Sequence, residues 1–127
     1  MKSPKVVLID DEVEVCEILT ISLTARGYNV AMAHNGEDGL KLIKQFKPDV
    51  AVIDIQMPRV NGYELIVQLH KMPELSDMKI IVMTSLTGNG ETSDKNWADN
   101  LGVDSFLPKP FPPSDLADLI NQLLNPA

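Results

Sequence analysis

Five short apolar runs rich in Val and Ile, each followed by an amphipathic stretch, leave this chain few ways to fold. The runs are VVLI (6–9), NVAMA (29–33), VAVIDI (50–55), KIIVMT (79–84) and SFLP (105–108). Each predicts a strand. Residues 12–26, 36–46, 62–71, 92–101 and 114–124 carry apolar residues at spacings of three and four, and each of these segments predicts a helix. The punctuation agrees with this division. Gly27 closes the first helix, Asn35-Gly36 opens the second, Pro48 precedes the third strand and Asn61-Gly62 precedes the third helix. In the last helix Leu116, Leu119, Ile120, Leu123 and Leu124 form one stripe that predicts core packing, and Ser114 is placed to cap it.

A βα unit repeated five times implies an α/β fold, a parallel sheet with helices on both faces, because right-handed crossovers keep successive helices on one side until the winding reverses. Strands as continuously apolar as VAVI and IIVM fit burial on both faces. In such a doubly wound sheet, with strand order 2-1-3-4-5, ligands bind beyond the carboxyl ends of the strands at the point of reversal. The chain of 127 residues reads as a single domain, residues 1–127, large enough to bury a core without metal or disulfide staples.

Chemistry gathers at those strand ends. Asp10 and Asp11 follow strand 1, with Glu12 next to them, and Asp54 falls at the end of strand 3. Strands 1 and 3 are neighbours in this order, so three carboxylates, those of Asp10, Asp11 and Asp54, converge. Two like charges about 4 Å apart repel by roughly 1 kcal/mol in bulk water and about 4 kcal/mol at a protein surface. A cation is needed to compensate them. Lys109, at the end of strand 5, is one candidate, and a divalent ion is the other. Hard carboxylate oxygens suit Mg²⁺ better than zinc, which would want His or Cys. Thr84, ending strand 4, adds a hydroxyl.

Charge and composition narrow the partners. A net charge of −7 without a cluster of Lys and Arg argues against direct nucleic-acid binding. No apolar run is long enough to span a membrane, and no signal peptide precedes the first strand, so a cytoplasmic location is expected. Cys16, the single cysteine, lies among the apolar positions of the first helix and reads as a structural thiol. His34 and His70 read as solvated loop and helix-end residues rather than ligands.

Asp10-Asp11, Asp54 followed by Met57-Pro58 and Gly62, Thr84-Ser85, and Lys109-Pro110-Phe111 together resemble the receiver domain of two-component response regulators, in order and spacing, over almost the whole chain. The resemblance implies a flavodoxin-like, CheY-like fold. It also implies that Asp54 is the phosphoacceptor, and that Asp11, Asp54 and the backbone carbonyl of Gln56 bind Mg²⁺ with help from Asp10. Lys109 would pair with the phosphoryl group and Thr84 would hydrogen-bond it. Thr84 would then move toward that group while Phe106 rotates into the space behind it, and the face made by the helix over 92–101, strand 5 and the last helix would read out the change. The implied partners are a sensor histidine kinase or phosphotransfer protein and a downstream protein target. The implied role is a phosphoacceptor signalling module rather than an enzyme acting on a separate substrate. The Lys109-Pro110 bond is expected to be cis.

Two departures accompany the resemblance. The segment LTGNGETSDKNW (86–97) is longer than the family pattern and reads as a loop before the fourth helix. Within it Thr92, Ser93, Asp94, Lys95 and Trp97 resemble a motif of single-domain regulators in chemotaxis and twitching motility. Trp97 and Leu101, four apart, read as core-facing; Arg59 and Asn61 line the loop after Asp54. Two other readings use similar parts. An aspartyl-nucleophile phosphohydrolase would place its nucleophile after strand 1 in a D-x-D pattern, where this chain has Asp10-Asp11. A flavin-binding protein would need a phosphate-cradling loop there, and acids occupy it.

Overall fold

A computed structural model describes residues 3–55, 62–85 and 102–125. Its strands are β1 (Lys5–Ile9), β2 (Asn29–Ala33), β3 (Val50–Asp54), β4 (Lys79–Ser85) and β5 (Ser105–Lys109). Its helices are α1 (Val13–Ala25), α2 (Gly36–Phe46), α3 (Gly62–His70) and α4 (Pro113–Leu124), with a 3₁₀ turn at Pro73–Leu75. The helix expected over 92–101, with Trp97 and Leu101, lies outside the described residues, as do Gln56, Met57, Pro58, Arg59, Asn61 and the loop after Ser85.

All strand pairs are parallel, in the order β2-β1-β3-β4-β5. Alternation along each strand sends successive side chains to opposite faces, and the core accordingly has two halves. Val7, Ile9, Ala51, Ile53, Ile80 and Val82 pack with Ile43 of α2 and Leu65, Ile66 and Leu69 of α3. Val6, Leu8, Val50, Val52, Ile81 and Met83 pack with Cys16, Leu19 and Leu23 of α1 and Leu116, Ala117 and Ile120 of α4. Every residue of β3 is buried, which explains its unbroken apolar run. The winding reverses between β1 and β3, so the crevice of this fold opens at their carboxyl ends.

The local signals were mostly where the residues put them. Gly27 follows the cap of α1 at φ 92°, a conformation that disfavours residues with a Cβ. The Asn35 side chain caps α2 by accepting from the Asp38 N–H at 2.7 Å. Ser114 does not cap the last helix. Pro112 occupies the cap position without a side-chain bond and Pro113 is the first helical residue, a place that suits proline because its fixed φ is helical and its missing N–H would have had no partner there. Gly39 lets α2 close on β1: a Cβ built on it would lie 2.5 Å from Ile9 Cδ1.

Candidate functional site

Register alone brings the acids together. Ile9 pairs with Ile53, so Asp10, the next residue, and Asp54 leave adjacent strands side by side. Ser85 pairs with Lys109 and Thr84 with Pro108, which sets the hydroxyl of β4 and the amine of β5 at the same edge. The Lys109-Pro110 bond is cis.

Lys109 joins the strand ends. Its Nζ donates to Asp10 Oδ2 at 2.9 Å, Glu12 Oε1 at 3.0 Å and Asp54 Oδ2 at 3.1 Å. The side chains of Asp10 and Asp54 are 0% and 3% exposed and that of Lys109 is 10% exposed, whereas Glu12 is 61% exposed. Burial pulls the Lys109 ammonium toward neutrality. The hydrogen bonds that it donates to Asp10 and Glu12 and the charge of Asp54 more than offset it, and the amine stays above the ordinary lysine range. Thr84 is buried at the end of β4, and Phe106, paired with Val82, is half-buried against the core.

Asp10 is fixed at every polar atom. Its backbone N–H donates to the Ala33 carbonyl at 3.1 Å, and its Oδ1 accepts from the Glu12 N–H at 2.9 Å. The Cys16 thiol lies 3.5 Å from its carbonyl oxygen, and burial, reinforced by the Asp10 charge, pushes that thiol up to about 12. His34 is not simply solvated: its ring is half-buried, with Nδ1 3.1 Å from the same carbonyl, which can only accept, so Nδ1 carries a proton. His70 ends α3, exposed.

The acid group differs in one member from the set the sequence suggested. Ligand atoms of Asp10, Glu12 and Asp54 lie within 4.8 Å of one another, a grouping that does not include the exposed Asp11. Glu12 was legible as part of the acidic run but not as a member of the site. It precedes α1 without capping it, which leaves its side chain available to reach Lys109. An apolar groove of about 540 Å³ opens beside these residues, lined by Val15, Ile18 and Leu19 of α1 and by Pro110, Phe111 and Pro113.

A model of the response regulator receiver domain matches residues 6–121. The chain belongs to the response regulator receiver family. It is 35% identical to protein PilH of Pseudomonas aeruginosa over 120 residues, covering 94% of this chain and 97% of that one. It is 36% identical to a probable transcriptional regulator, ycf29, of Pyropia yezoensis, over 96% of this chain and 54% of that protein. The chain thus spans about half the length of ycf29 and of the ycf27 proteins it also matches. Among solved structures it resembles a CheY-like receiver domain protein of Methanospirillum hungatei, at TM-score 0.87 and 26% identity, over 98% of this chain and 96% of that one. It also resembles the receiver domain of the Francisella response regulator 1452, at TM-score 0.84 and 28% identity, over 95% and 96%.

Receivers are signalling modules that carry a phosphoacceptor aspartate in two-component systems, and they work with histidine kinases and downstream targets. The phosphohydrolase and flavin-binding readings give way to this membership. Receivers bind Mg²⁺, and a donor set of three carboxylates without His or Cys fits that ion. Among the described residues, no helix is long and apolar enough to cross a membrane.

Proposed function

We propose that this receiver takes a phosphoryl group on Asp54 from a phosphohistidine of a sensor kinase or phosphotransfer protein. The observation that carries the reading is the Lys109 ammonium, 3.1 Å from Asp54 and 2.9 Å from Asp10, two carboxylates that are almost fully buried. A carboxylate oxygen of Asp54 attacks phosphorus, the O–P bond forms, and the N–P bond of the donor breaks with its electron pair left on the imidazole nitrogen. Lys109 balances the negative charge that phosphate and acids bring together, and the Thr84 hydroxyl receives a phosphoryl oxygen as hydrogen-bond donor. Asp11, Asp54 and the Gln56 carbonyl, with help from Asp10, would hold Mg²⁺, which would supply further charge neutralisation.

The switch we infer runs from Thr84 to Phe106 and is read on β5, α4 and the segment over 92–101, toward a downstream protein. The apolar groove between α1 and Phe111, adjoining Lys109, supports a protein donor that docks by hydrophobic contact, in a cytoplasmic setting. With acetyl phosphate and Mg²⁺, mass spectrometry is expected to find one added phosphoryl group in the wild type and none in Asp54→Asn. Uptake by Asp54→Asn at the wild-type rate would reassign the phosphoacceptor.

A further inference from the structure

An ammonium has three N–H bonds, and in this structure three carboxylates take them: Asp10 at 2.9 Å, Glu12 at 3.0 Å and Asp54 at 3.1 Å. If Asp54 is the phosphoacceptor, Lys109 must release one partner before it can donate to a phosphoryl oxygen. The three bonds are not equally hard to break. Asp10 is fully buried, and its other carboxylate oxygen is held by the Glu12 N–H, so losing the ammonium would strand a charge away from water. Asp54 carries the incoming group. Glu12 is 61% exposed, so water can replace its bond to Lys109 at little cost.

Resting on the phosphoacceptor reading, we propose that Glu12 is a positioning residue: it holds the Lys109 ammonium while Asp54 is unmodified and yields it to the phosphoryl group, setting a threshold for phosphorylation. The backbone of Glu12 stays in place, because its N–H donates to Asp10 and its carbonyl accepts from the Cys16 N–H at 3.2 Å. Only the side chain has to swing away. Its length matters to this role, since an aspartate at the same position keeps the charge but withdraws the carboxylate by one methylene.

The test is the initial rate of Asp54 phosphorylation by acetyl phosphate, read by intact mass spectrometry, with each variant at Mg²⁺ saturating by its own titration. Glu12→Gln and Glu12→Asp are both expected to react about 2- to 5-fold faster than wild type, the equilibrium weight of one exposed ion pair. In a Lys109→Met background the Glu12→Gln effect should vanish, since the two residues act as one unit. If Glu12→Asp behaves as wild type while Glu12→Gln is faster, bulk charge alone is responsible and the proposal is overturned. Equal or slower rates in both variants, or an effect that persists without Lys109, overturn it too, while leaving Asp54 as phosphoacceptor. A wild-type protein that takes up no phosphoryl group on Asp54 overturns both readings.

Discussion

Replacing Lys109 with methionine keeps the buried stem and removes the charge, which isolates what the ammonium does for the fold. Its Nζ lies 2.9 Å from Asp10 and 3.1 Å from Asp54, both almost fully buried. At an effective dielectric near 20, each pair at about 3 Å is worth roughly 5 kcal/mol before the cost of desolvating the ammonium is subtracted. The Glu12 pair, exposed on one side, adds less than about 1 kcal/mol. Removing one partner of a buried pair typically costs about 3–5 kcal/mol, and the lower end applies here because the Glu12 N–H still holds the Asp10 carboxylate. A loss of about 3 kcal/mol in a domain of this size lowers the melting temperature by about 10 °C. The measurement is thermal unfolding by circular dichroism in EDTA and again in millimolar Mg²⁺. The Lys109→Met variant should gain more from Mg²⁺ than wild type, because the ammonium no longer competes for the same oxygens and binding to the folded state stabilises by mass action. A variant that melts within about 2 °C of wild type in EDTA would refute the claim that this amine compensates the acids. A Mg²⁺ gain no larger than that of wild type would refute the shared site.

The contact of α2 with β1 predicts that Gly39→Ala destabilises by about 1–3 kcal/mol in urea titration, since its Cβ would meet the buried Ile9 Cδ1 at 2.5 Å. Ile9→Val removes that methyl and should recover part of the loss in the double variant; additive losses would show that the helix is not seated on Ile9. Cys16, fully buried, should resist thiol reagents in the native protein and react on unfolding; rapid labelling of folded protein would contradict the closed packing of α1. Its thiol is raised from 9.0 to about 12, so above pH 9 the unfolded chain releases a proton that the folded chain keeps. The advantage of wild type over Cys16→Ala should therefore be complete below pH 9 and shrink toward pH 12, and an advantage that grows with pH would reverse the assignment.

Much of this architecture was legible because two periods coexist in the chain. Runs such as VAVID could only be satisfied by burial on both faces, and the five apolar runs fixed five parallel strands with carboxylates at the ends of the first and third. What could not be read were contacts between residues far apart in sequence that owe nothing to periodicity. Glu12 meets Lys109 across 97 positions. Neither residue has a spacing that announces the other, and the meeting depends on how the loops after β1 and β5 converge. The ring of His34 against the Asp10 carbonyl is equally silent, because a half-buried histidine after an edge strand looks like a loop residue. Ser114 misled for a different reason. Serine is a good cap in general, but the proline pair before it had already set the backbone of the first turn.

The long-range contacts also account for how firmly Asp10 is held. A phosphoacceptor must present its carboxylate to an incoming group, so its surroundings have to yield. A residue that helps hold a cation has the opposite requirement. Asp10 meets it with four contacts: the Ala33 carbonyl at the end of β2, His34 just beyond it, the Glu12 N–H at the entrance to α1, and the Cys16 thiol inside α1. None of these groups carries a full positive charge, so the ionic compensation is left to Lys109. Preorganisation of this kind lets electrostatic stabilisation act without a reorganisation cost when phosphate arrives. Among the groups bonded to Lys109, the exposed Glu12 carboxylate is the one that can move at small expense. A rigid acid beside a displaceable ion pair is the arrangement that lets Glu12 yield the ammonium, as we propose, without disturbing Asp10.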